Sequence, residues 1–179
     1  MAGPLGIGKT TAIDTVSEIP TLHTDEVMTT AAAGTDQLAH QDLQAKTTTT
    51  VATDFGRLTL ETAGIILYLF GTPGQIRFRP LWDDLAEGAL GALVLVDTAR
   101  LQDSFEVMSL IEQRGLPYTV AVNVFPHSLD VKPGTLRRKL DLAPHTPLVL
   151  CDARDRNSTL DALVALTTHL ITLDGDPSS

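Results

Sequence analysis

Apolar runs alternate with helix-period stripes along these 179 residues, and that alternation predicts an α/β fold with a mostly parallel sheet. A helix is expected from Lys9 to Ile19, closed before Pro20. Thr21 to Thr50 is mixed and polar, with room for a short helix near Asp36 to Leu43. Val51 to Leu60 and Gly64 to Phe70 read as strands, and the short link between them predicts an antiparallel pair. Pro80 to Glu87 reads as a short helix. Nearly every position from Ala89 to Val96 is apolar, the mark of a strand buried on both faces. The next helix puts Leu101, Phe105, Met108 and Ile111 on one face and ends near Gly115. Tyr118 to Phe125 is a strand, Pro133 to Leu140 a helix and Pro147 to Cys151 a strand. The last helix is expected to open at Ser158, with Asp161 completing a capping box. Its apolar stripe is Leu160, Leu163, Val164, Leu170 and Ile171.

The length suits one domain, taken here as residues 1–173, with a polar tail from Asp174 to Ser179. Apolar residues make up 43%, enough for a packed core. A net charge of −9 and the lack of a basic stripe argue against a nucleic-acid partner. Phosphate binding needs neither, because a glycine-rich loop uses backbone N–H groups and one Lys. The single cysteine, Cys151, rules out a disulfide framework and suits a reducing, cytoplasmic setting. No secretory signal is visible, and Ala89 to Val96 is too short to span a bilayer.

Gly3 to Thr10, read as Gly-Pro-Leu-Gly-Ile-Gly-Lys-Thr, fits the P-loop pattern G-x-x-x-x-G-K-[ST]. Gly3, Gly6 and Gly8 allow the backbone angles that turn successive N–H groups inward around a phosphate. Lys9 adds a point charge over the β- and γ-phosphates. The Thr10 hydroxyl can ligate Mg²⁺, and Thr11 continues the nucleotide-binding turn. The competing reading is a glycine-rich turn that caps a helix. A P-loop should follow a buried strand, yet only Met1 and Ala2 precede Gly3. Either the chain starts late or the sheet lacks its first, central strand.

A second loop, Gly71 to Gln75, follows the strand ending at Phe70, at the strand end where α/β sheets place ligands. Gly74 can offer an N–H to a γ-phosphate, and Gln75 can orient an attacking water. Arg77 and Arg79 could supply charge in cis, or belong to a solvated loop. Thr50, from the run Thr47 to Thr50, could close over a γ-phosphate and Mg²⁺, or simply start a strand. Trp82 and Phe78 present an apolar partner surface or pack on the sheet. The five His residues show no metal spacing.

The segments Thr47 to Gly56, Leu69 to Gln75 with Arg77 and Phe78, Val120 to Asn123 and Cys151 to Arg154 resemble a Ras-superfamily GTPase. More narrowly, they resemble the bacterial branch encoded in actinobacterial conservons, related to the gliding-motility Mgl-type GTPase. That resemblance implies a Ras-like sheet flanked by helices, binding of GTP and GDP with Mg²⁺, and slow GTP hydrolysis in a signalling switch. It implies small roadblock/LC7-type partners, a sensor-kinase-like membrane protein, and membrane association only through such partners. It also carries Asn123, Asp152 and Ala153 over as base-binding positions. Gly71 stands where most Ras-like proteins have an Asp that holds a Mg²⁺-bound water, and Asp54 is the candidate substitute. In the family's N-K-x-D motif, Val124 replaces Lys and Pro126 replaces the Asp that selects guanine. Three readings therefore stay open: a GTPase switch, a degenerate nucleotide-binding scaffold, and a P-loop ATPase with Asp97 as its acidic residue.

Overall fold

The computed structural model describes residues 1–29, 48–74 and 79–175. The segment 36–43 and the residues Thr47, Gln75, Arg77 and Phe78 lie outside the described residues. The element order is α1 (Lys9–Val16), β1 (Leu22–Thr29), β2 (Thr48–Leu60), β3 (Ile65–Gly71), α2 (Arg79–Ala86), β4 (Ala92–Val96), α3 (Gln102–Gln113), β5 (Tyr118–Asn123), α4 (Pro133–Lys139), β6 (Leu148–Cys151) and α5 (Arg156–Asp174). The α/β architecture stands as the sequence predicts.

The strands form an antiparallel sheet in the order β1-β2-β3 and a parallel sheet in the order β4-β5-β6. β1 falls where the sequence shows only a mixed polar stretch. It pairs with β2 along its whole length, from Leu22 opposite Phe55 to Thr29 opposite Thr48. Long-range pairing, which no local pattern reveals, makes this strand. β4 is buried at every position, so its apolar run is a two-sided core strand.

Met1 and Ala2 join the two sheets. The Met1 amino group donates to the Phe70 carbonyl at 2.7 Å, and the Thr72 N–H donates to the Met1 carbonyl at 2.9 Å. The Ala2 N–H donates to Leu93 at 2.8 Å, and Leu95 donates back to Ala2 at 2.9 Å. One residue thus pairs with β3 and the next with β4, as in the middle strand of a parallel sheet. Ala2 forms an isolated parallel bridge with Val94, so these two residues sit between β3 and β4, directly ahead of the glycine-rich loop.

Two helix boundaries differ from expectation for local reasons. α1 ends at Val16 because Ser17 turns extended, its hydroxyl donating to the Ile19 carbonyl at 2.7 Å. α5 opens at Arg156, because the Asp155 carboxylate caps it by accepting from the Ser158 N–H at 2.7 Å. Asp161 therefore sits inside the helix and forms no capping box. The buried face of α5 is Thr159, Ala162, Leu163 and Leu166, while Val164 and Ile171 are exposed. In α3, Phe105 is exposed and Val107, Met108, Leu110 and Ile111 are buried.

Two apolar clusters fill the layers. One gathers Ile7, Ile13, Val16, Leu69 and Leu95 under α1 and α5, and Cys151 lies within it. The other gathers Trp82, Val94, Val107, Ile111, Val120 and Leu136 on the opposite face. No described helix is long and apolar enough to cross a membrane.

Burial holds the Met1 amino group at about 5, below its ordinary value of 8.0, with the Lys9 charge as the second cause. Between those values the unfolded chain binds more protons, so stability rises as pH goes from 5 to 8. An N-acetylated chain has no amine to titrate and should lack that contribution. Urea midpoints of the two forms should therefore converge as pH rises through this window.

Candidate functional site

The P-loop wraps the gap between the Met1–Ala2 strand end and α1. Gly3, Gly6 and Gly8 all take positive φ, at 141°, 71° and 99°. At Gly8 the constraint is also one of space, since a Cβ there would lie 2.8 Å from Asn123 Nδ2. Lys9 is buried, and its ammonium donates to the carbonyls of Gly3 and Pro4, each at 2.8 Å. Burial lowers its pKa from 10.5 to about 8, and the nearby Asp54 carboxylate opposes that shift. Thr11 lies exposed on the first turn of α1.

Asp54 comes to this loop from β2. It is 6% exposed, and its Oδ2 accepts from the Thr10 hydroxyl at 2.5 Å. Its partner across the ladder is Gly71. A Cβ on Gly71 would sit 3.0 Å from Asp54 Oδ2 and 3.1 Å from Asp54 Cβ. The Asp54 carboxylate thus occupies the space that a side chain at Gly71 would need. Asp54 thus brings a carboxylate to the end of β3 from the paired position on the neighbouring strand. His23, opposite Asp54 on β1, places Nδ1 2.8 Å from the other carboxylate oxygen. No sequence spacing pointed to His23; only the register of β1 on β2 brings it here.

The second loop leans on the first. A Cβ at Gly74 would lie 2.6 Å from Leu5 Cα, so only glycine allows this approach. The loop is fixed from behind by Trp82, which is 3% exposed and donates from Nε1 to the Pro73 carbonyl at 3.1 Å. Of the two roles open to Trp82, the fold takes packing. Gln75 and Arg77, the expected catalytic pair, lie outside the described residues. Thr50 lies within β2 opposite Val27, four strand positions and therefore roughly 13 Å from Asp54. The structure brings Thr10 and Asp54 together and leaves Thr50 apart from them.

At the base end, Asn123 is 2% exposed and tied at both ends of its amide. Nδ2 donates to the Ile7 carbonyl at 2.8 Å, and Oδ1 accepts from the Ala153 N–H at 3.0 Å. The N–H of Ala153, one of the carried-over base-binding positions, is engaged by Asn123. The Asp152 carboxylate is gripped by Arg154 through Nε at 2.9 Å and an Nη at 2.8 Å. That contact holds the Asp152 pKa below the usual carboxylate range. Asp97 points to the β5–α4 loop. Its carboxylate lies 3.1 Å from His127 Nε2 and accepts from the Ala99 N–H at 2.9 Å. Burial alone would raise the Asp97 pKa, but the bonds from Ala99, His127 and Arg100 outweigh it and lower it. None of these partners belongs to the P-loop, whereas Asp54 touches it directly.

Replacing Asn123 with Ala leaves the Ile7 carbonyl and the Ala153 N–H without their partner. The expected cost is about 2–4 kcal/mol, read from urea unfolding. An unchanged midpoint would show that water replaces the bridge without loss.

The fold has known counterparts. The cytosolic domain of the FeoB iron transporter of T. maritima, in a GDP form, superposes with a TM-score of 0.63 at 14% identity, over 98% of this chain and 62% of that one. The same domain in its GMPPNP form gives 0.61 at 14% identity, over 98% and 63%. The FeoB G-domain of Methanococcus jannaschii gives 0.60 at 11% identity, over 96% and 99%. These likenesses place the chain in the P-loop G-domain fold. In sequence, an uncharacterized protein of Methanocaldococcus jannaschii is 34% identical over 76 residues, 41% of this chain and 48% of that protein. The chain thus aligns with about half the length of that relative and spans less than two thirds of the T. maritima domain. A family model described as "Conserved hypothetical ATP binding protein" matches residues 1–173. The P-loop, its strand stub and the sheet that carries them all fall within that match, and the chain belongs to this family.

Proposed function

We propose that this chain binds a purine nucleoside triphosphate with Mg²⁺ at the P-loop and hydrolyses it slowly, acting as a switch. One observation carries the reading: the buried Asp54 carboxylate set 2.5 Å from the Thr10 hydroxyl beside Lys9. Two oxygen donors next to a phosphate loop suit a hard cation such as Mg²⁺. The described residues hold no cluster of three or more His, Cys, Asp or Glu, and a phosphate-bound Mg²⁺ does not require one. Thr10 and Asp54 would hold the ion, with Thr50 joining if β2 shifts. Bound there, Mg²⁺ neutralises phosphate charge. Lys9 exchanges the Gly3 and Pro4 carbonyls for phosphate oxygens, the backbone N–H groups of the loop cradle the β-phosphate, and Gly74 offers its N–H to the γ-phosphate. Gln75 orients the water, and Arg77 adds charge in cis.

GTP and GDP are the first expectation, on the likeness to G domains. ATP is the second reading, favoured by Pro126 in place of the base-selecting carboxylate and by the engagement of both ends of the Asn123 amide. The switch reading, with roadblock/LC7-type and sensor-kinase-like partners, rests on the sequence resemblance to the conservon and Mgl branch.

Titration with fluorescent GTP, GDP and ATP tests the base. A preference for GTP below about tenfold is expected, because a lost pair of charge-assisted bonds is the main discriminating term. Lys9→Ala should weaken every nucleotide at least about 100-fold, and binding that survives it would place the phosphate elsewhere. Asp54→Ala should fold and still bind nucleotide, while losing the gain in affinity that Mg²⁺ gives. An unchanged Mg²⁺ dependence would remove Asp54 from the metal role.

A further inference from the structure

The two oxygens of the Asp54 carboxylate have different partners. Oδ2 accepts from the Thr10 hydroxyl at 2.5 Å, on the P-loop side. Oδ1 lies 2.8 Å from His23 Nδ1, on the β1 side. A carboxylate that holds a metal is ionised and can only accept hydrogen bonds. His23 Nδ1 then carries the proton and donates it to Oδ1.

Strand register builds this contact. His23 and Asp54 are opposite residues of β1 and β2, and opposite side chains of an antiparallel pair point to the same face. On its other flank Asp54 faces Gly71. One cross-strand neighbour therefore leaves room for the carboxylate and the other supplies a donor to it. The imidazole also reaches α1, where Nε2 lies 3.9 Å from the Asp14 carboxylate. Asp14 is four residues beyond Thr10, on the same face of the helix. The ring thus brackets the strand residue that carries the carboxylate and the helix face that carries the hydroxyl.

A second anchor matters because the last torsion of an Asp side chain is soft and broad. The bond to Thr10 alone fixes one oxygen and leaves the plane of the carboxylate free to tilt. We propose that His23 is a positioning residue for the metal site: its Nδ1–H holds Asp54 Oδ1, so that Oδ2 stays turned toward Thr10 and toward the Mg²⁺ that this pair would bind. The proposal rests on the reading of Thr10 and Asp54 as the metal ligands. Metal-binding carboxylates are commonly held by such an outer hydrogen bond, and its loss costs about 10–100-fold in metal affinity.

The test compares the unmodified chain with His23→Asn, His23→Gln and His23→Ala. Counted in bonds from Cβ, Asn places its amide nitrogen where Nδ1 stands, and Gln places its own where Nε2 stands. Fluorescent GDP binding is measured in EDTA and across a Mg²⁺ titration, and the readout is the Mg²⁺ concentration that gives half of the gain in affinity. His23→Ala and His23→Gln should raise that concentration about tenfold, while His23→Asn should stay within about twofold of the unmodified chain. In EDTA all four should bind GDP alike, because the metal-free contacts fall to Lys9 and the loop backbone.

The proposal is overturned if His23→Ala matches the unmodified chain or if His23→Asn behaves like His23→Ala. It is equally overturned if the variants lower the EDTA affinity and the urea midpoint but leave the Mg²⁺ midpoint in place, since that is the mark of a structural role. Asp54→Ala, run alongside, separates the two readings. When the unmodified chain gains affinity from Mg²⁺ and Asp54→Ala does not, any of these failures removes His23 alone. When Mg²⁺ gives no gain to the unmodified chain, the metal reading fails and His23 falls with it.

Discussion

Among the described residues, four backbone hydrogen bonds made by Met1 and Ala2 link the facing edges of the two sheets. Without them the antiparallel sheet β1-β2-β3 and the parallel sheet β4-β5-β6 share packing but no ladder. The arrangement matters because the site is divided between the sheets. Asp54 and the Gly71–Gly74 loop come from the first, while Asn123 and the Ala153 loop come from the second. The P-loop leaves Ala2 at the seam and is gripped from both directions, by Asp54 at Thr10 and by Asn123 at Ile7.

The carboxylate at Thr10 reaches the P-loop from β2 and not from the end of β3. Gly71 and Asp54 face each other across one rung of the β2–β3 ladder. The Asp54 side chain fills the space that a side chain at Gly71 would need, so a pattern read along β3 alone misses this carboxylate.

Much of this was legible in the sequence, for reasons that can be named. The P-loop, β4 and β5 are local: glycine spacing and unbroken apolar runs fix them without reference to the rest of the chain. Asp54 was legible as a candidate because the short β2–β3 link dictates antiparallel pairing. β1, His23 and the Trp82 bond to Pro73 were not, because each depends on register or on a contact between distant segments. α5 starts two residues ahead of Ser158, since Asp155 and Ser158 are both good capping residues and only the geometry shows that Asp155 caps while Ser158 donates.

Lys9 closes the P-loop on itself. Its buried ammonium donates to the carbonyls of Gly3 and Pro4, so the segment that leaves Ala2 is a hydrogen-bonded ring braced from within. Any stronger acceptor that draws Lys9 away exchanges one set of oxygens for another. The stiffness of the loop and its grip on such an acceptor are therefore two uses of a single charge.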